Sequence, residues 1–126
     1  MRAAKAYQSV KNTTGVIGAN PVRLTIMLYE RITDELTKAE AAVKSNDIRS
    51  RTAATSKVLE LIEVGLIPSL DRENGCTIAS NLSFMYKFWV AQILDSNLKG
   101  DPAKLAIIKD QVNTIMGAFK EVVKAL

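Results

Sequence analysis

The chain has 126 residues, enough for one domain with a real core. Its 48% hydrophobic and 24% charged content excludes wholesale disorder. The 17 Lys+Arg against 13 Asp+Glu leave a net charge of +4, with no run of five like charges, so the balance gives little support to nucleic-acid binding. Histidine is absent, which excludes a phosphohistidine relay, Glu-x-x-His di-iron pairs, and Ser-His or Cys-His nucleophiles. No glycine-rich phosphate loop or zinc-ligand spacing occurs, so neither a cofactor nor a metal is expected. The single cysteine, Cys76, cannot form an internal disulfide. Residues 1–20 lack a signal-peptide apolar stretch, and no apolar run approaches a membrane span. Together these predict a cytoplasmic protein.

The first 19 residues read as a loop-like lid segment, because Thr13, Thr14, Gly15 and Gly18 break any regular pattern. Tyr7, Val10, Val16 and Ile17 are its apolar residues. Residues 20–126 carry four amphipathic segments. The first opens on Asn20 as N-cap and Pro21 as first helical residue, and runs to about Lys44. Leu24, Leu28, Ile32, Leu36, Ala39 and Val43 share one third of its circumference. Ser45-Asn46-Asp47 makes the turn, with Asp47 placed to cap the second helix.

The second helix spans about Ile48 to Ile67, with Val58, Leu61, Ile62, Gly65 and Leu66 inward. The inward Gly65 predicts close helix packing, and Pro68 ends or kinks the helix. The third runs from about Thr77 to Leu98, with Ile78, Leu82, Met85, Tyr86, Trp89 and Ile93 on its core face. Gly100 suits a left-handed cap, and Asp101-Pro102 repeats the cap-plus-proline start for the last helix. Leu105, Ile108, Val112, Ile115, Met116, Phe119 and Val123 give that helix its stripe. The expected fold is all-α, an antiparallel up-down four-helix bundle.

A bundle helix needs one apolar stripe, and the third helix has two. Phe84 and Phe88, with Ala91 and Leu98, lie opposite its core face. Val64 and Ile67 on the second helix, Val22 and Ile26 on the first, and Ile107 on the fourth add further apolar surface. Two readings account for this surplus. One is a bundle with a central third helix, or a homodimer that buries the face. The other is a groove for a partner's amphipathic helix, which the N-terminal segment covers in the free protein. Tyr29 and Tyr86 fit equally a structural role, as half-buried rings with bonded hydroxyls, and a ligand contact. Asn81 fits an inter-helix hydrogen bond. An enzyme built on Glu30, Asp34 and Glu63 is the rival from another class, and solvated helix faces explain those carboxylates as well.

Three motifs in order carry a resemblance. The first is Ala6-Tyr7. The second is Pro21, Leu24, Met27, Leu28, Tyr29 and Glu30. The third is Gly75, Ile78, Ala79, Asn81, Leu82 and Tyr86, with Asn97 beyond. The chain resembles the FliS family of flagellin-specific export chaperones over nearly its whole length. It departs from the family pattern at Arg31, where a glycine is usual, at Phe119 in place of a late tryptophan, and at Pro68. The resemblance implies a cytoplasmic chaperone, not an enzyme. Such a chaperone binds the C-terminal helical segment of flagellin, blocks premature polymerisation and keeps the subunit ready for type III export. The flagellar export gate and a second copy of the chain are further candidate partners. The alternative is a helical adaptor or dimerisation module with another client. The expected partner-binding residues are Tyr7, Val10, Val22, Ile26, Tyr29, Val64, Ile67, Phe84, Phe88 and Leu98.

Overall fold

The computed structural model of the chain describes residues 21–70 and 77–125. Tyr7, Val10, the Asn20 cap, Gly75, Cys76 and the expected lid over residues 1–19 lie outside the described residues. Four long helices follow in order: α1 (Pro21–Lys44), α2 (Ile48–Glu60, continued by a π-helical turn Leu61–Leu66), α3 (Thr77–Lys99) and α4 (Pro102–Ala125). No strand occurs among the described residues.

Each helix end follows from its own sequence. Pro21 fills the first turn of α1, where its missing amide costs nothing. At the other end Asn46 takes a left-handed conformation with φ 61°, which its short polar side chain tolerates. The Asp47 amide then bonds back to the Ala42 carbonyl at 2.9 Å. Asp47 caps α2 as expected: its Oδ1 accepts from the Ser50 amide at 3.1 Å and its Oδ2 from the Ser50 hydroxyl at 2.7 Å. These bonds hold the Asp47 carboxyl below the usual carboxylate range. Gly100, at φ 65°, closes α3, and its amide bonds to the Ser96 carbonyl at 2.8 Å. Asp101 caps α4 through the Ala103 amide at 2.9 Å.

The second helix departs from expectation. It is α-helical only to Glu60, and the next six residues form a π turn marked by the Ile67 amide bonding to the Ile62 carbonyl at 2.9 Å. Pro68 cannot donate to the Val64 carbonyl and its ring crowds that oxygen, so a regular turn is unfavourable just before it. Gly65 is buried within this turn against α1, and a Cβ there would stand 3.2 Å from Leu28 Cδ2. The glycine admits the close approach expected of it.

The short links at residues 45–47 and 100–101 reverse the chain, and the helices pack in a ring: α1 on α2 and α4, α3 on α4 and α2. The antiparallel up-down bundle is as expected. The most deeply buried helix is not the third but the first: α1 buries Leu24, Leu28, Tyr29, Ile32, Leu36 and Ala39 among others, whereas α3 buries only Tyr86, Trp89, Ile93 and Ser96. One side of α3 is left exposed.

The candidate partner-binding face

One buried and one half-buried polar contact tie α3 into the bundle. The Tyr29 and Tyr86 hydroxyls meet at 2.6 Å, and their rings are 6.5 Å apart in an edge-on arrangement. Phe119 lies 5.6 Å from Tyr29 and Trp89 lies 5.4 Å from Tyr86, extending the aromatic cluster across the core. Burial, reinforced by the neighbouring Tyr86, pushes the Tyr29 phenol well above its ordinary value, and burial raises Tyr86 as well. Both stay protonated at physiological pH. The Trp89 indole N–H donates to Gln111 Oε1 at 2.9 Å and links α3 to α4.

These contacts fix which face of α3 is left out. Tyr86, Trp89 and Ile93 point in, so residues half a turn away point to solvent. Phe84 is 76% exposed, Phe88 44% and Leu98 85%. Leu94 is exposed at 47% beside them. Taking about 1.5 Å per residue, the stripe from Phe84 to Leu98 is about 21 Å long. Two exposed phenylalanines one turn apart, on a helix with few charges, form an apolar face of the kind that proteins use for partners.

The other expected site residues divide. Val22, in the first turn of α1, and Val64 and Ile67, at the end of α2, are half-buried. Ile26 is 8% exposed and belongs to the core. Tyr29 is wholly buried. Its hydroxyl is spent on Tyr86, so the described structure gives it the structural role and no surface to offer a partner. Ile78 is 67% exposed and does not belong to the core face expected of it, and Asn81 is exposed as well. Leu94 and Ile48 were missed, although each stands where helical spacing turns it away from the core face of its helix.

Asp95 is the one acidic residue on α3. Its Oδ1 lies 3.3 Å from Lys99 Nζ, and its Oδ2 pairs with Lys104 of α4. Lys104 first, then Lys99, hold its carboxyl below the usual range. A separate open groove of about 720 Å³ runs between α1 and α2, lined by Ala41, Ala42, Ala53 and Ala54 with Glu35 and Lys57 at its edge. None of the expected site residues lines it. The carboxylates of the enzyme reading, Glu30, Asp34 and Glu63, are all exposed. Among the described residues no group of acidic, Cys or His side chains could hold a metal, and no helix is long and apolar enough to cross a membrane.

Fold and face together define an all-α four-helix bundle with an exposed apolar stripe on α3. Residues 3–126 match the family model described as flagellar protein FliS. The chain is 30% identical over 118 residues to the flagellar secretion chaperone FliS of Salmonella typhimurium, covering 94% of this chain and 87% of that protein. It is 27% identical over 120 residues to the FliS of Escherichia coli, covering 95% and 88%. It is 30% identical over 116 residues to the flagellar secretion chaperone FliSB of Pseudomonas aeruginosa, covering 92% and 88%. The chain belongs to the FliS family of flagellar secretion chaperones, a family of chaperones and not of enzymes.

Proposed function

We propose that this chaperone binds the C-terminal helical segment of flagellin in the cytoplasm, prevents its premature polymerisation and keeps it competent for the flagellar type III export apparatus. The observation that carries the reading is the solvent-facing stripe of Phe84, Phe88 and Leu98 on α3. A segment that folds on binding must offset an ordering cost of about 2–5 kcal/mol or more. Each large apolar side chain fully buried contributes about 1.5–3 kcal/mol, so two phenylalanines and their neighbours suffice. Half-buried Val22, Val64 and Ile67 extend the surface toward the start of α1.

Residues 1–19, with Tyr7 and Val10, act in this proposal as a lid that competes for the same face and lowers the apparent affinity of the free protein. Removing residues 1–18 then strengthens binding of the flagellin segment or promotes self-association, with the circular-dichroism helix content of the bundle retained. Unchanged binding and unchanged association state contradict the lid. The flagellin assignment itself is tested by pull-down from a flagellated host, in which flagellin is the dominant partner. Recovery of another client in its place favours the adaptor reading.

A further inference from the structure

We propose that the helix accepted by the α3 face carries carboxylates along both edges of its apolar stripe, and that Lys87, Lys99 and Lys104 select for them; this rests on α3 being the client surface. At about 100° per residue, Phe84, Phe88, Ala91 and Leu98 fall within an arc of about 80°. Lys87 and Lys99 then stand about 60° to either side of Phe84. Lys104 projects from α4 on the Lys99 side, where it meets Asp95. The rim is therefore cationic on both flanks.

Asp95 decides the sign of the face. It lies within the apolar arc, between Ala91 and Phe88 around the helix, where a free carboxylate would repel an acidic client. Each of its oxygens is instead held by one lysine. One carboxylate shared between two ammonium groups leaves net positive charge at that edge. The Lys99 side chain is 65% exposed and Lys104 32%, so Lys99 is the freer to turn to an incoming carboxylate while Lys104 retains Asp95. A client flanked by lysines would meet like charge on both sides. Such charge matching governs specificity and association rate more than total affinity, and it is screened by salt.

The test titrates the full chain with two synthetic amphipathic peptides that share one leucine stripe and differ only in having Glu or Lys along its flanks. The C-terminal flagellin segment is titrated in parallel, all at low and at high sodium chloride. The Glu peptide is expected to bind on the order of tenfold tighter at low salt, with the ratio collapsing at high salt. Lys87→Gln with Lys99→Gln abolishes the preference, Asp95→Asn enlarges it, and Lys38→Gln on α1 leaves it unchanged. Equal affinities, a ratio indifferent to salt, or failure of both peptides to bind overturns the proposal. If the double lysine variant loses its helical circular-dichroism signal, Asp95→Asn decides, and an unchanged preference in that variant overturns it. A flagellin segment that fails to bind while the Glu peptide keeps its preference overturns the flagellin reading and leaves the charge selection standing.

Discussion

The hydroxyls of Tyr29 and Tyr86 meet at 2.6 Å across the diagonal between α1 and α3, both residues shut off from solvent. Neighbouring helices of the bundle hold each other along their length, but this pair spans the middle, and each hydroxyl is the other's partner. Removing one leaves a buried polar group unmatched, which costs about 1–3 kcal/mol, whereas removing both leaves an apolar contact. Tyr29→Phe and Tyr86→Phe are each expected to destabilise by that amount, and the double variant by less than the sum of the two. Urea denaturation across the four proteins gives the coupling. Strict additivity refutes the pairing.

The same pair makes stability depend on alkaline pH. Burial holds both phenols above their ordinary value of 10.0. The unfolded chain therefore releases these protons first, so their contribution is fully present below about pH 10 and is lost as pH rises above it. The slope is about 1.4 kcal/mol per pH unit for each tyrosine. Urea midpoints measured from pH 8 to pH 11 are expected to fall more steeply above pH 10 in the wild type than in the double phenylalanine variant. Identical slopes contradict the assignment.

Two helical glycines predict opposite outcomes for one substitution. A Cβ at Gly65 would press on Leu28 at 3.2 Å, and Leu28 is itself buried, with little room to yield. Gly65→Ala is expected to destabilise, since overpacking by about 1–3 kcal/mol exceeds the helix-propensity gain of about 1 kcal/mol. Gly117, exposed on α4, has nothing within 4 Å of its Cβ position. Gly117→Ala should stabilise by roughly 0.5–1 kcal/mol. Thermal melts of both variants provide the check.

Gly100 is a third case. Its φ of 65° is a conformation that side chains resist, and Arg51 Nη1 would lie 3.4 Å from a Cβ there. Gly100→Ala is expected to cost about 1–2 kcal/mol and to loosen the α3–α4 corner. A melting temperature equal to that of the wild type contradicts this reading of the turn.

The fold was legible because each boundary had a local chemical marker: Pro21, Asp47, Gly100 and Asp101-Pro102 all act where the spacing places them. The π turn at Leu61–Leu66 was not legible. Its only sign, a proline at residue 68, reads equally as a plain helix end. The face was half legible. Phe84, Phe88 and Leu98 were marked by helical spacing alone, and all three are exposed. Tyr29 and Ile26 escaped the same logic because burial on α1 depends on how α2 and α4 pack along it and, for Tyr29, on the diagonal contact with Tyr86. A single helix's periodicity does not report how far that burial extends. The tie of Asp95 to Lys104 crosses a chain reversal, so sequence spacing shows the Lys99 half of it and not the other.

The central claim is that α3 presents the client surface. Calorimetric titration of a C-terminal flagellin segment into the Phe84→Ala, Phe88→Ala double variant tests it most directly. Both side chains are exposed and neither belongs to the buried core, so circular dichroism and the melting temperature should stay near those of the wild type. Affinity is expected to fall by about 100-fold or more, from two lost burials of about 1.5–3 kcal/mol each at 1.4 kcal/mol per tenfold. A folded double variant that binds the segment as tightly as the wild type would contradict the account.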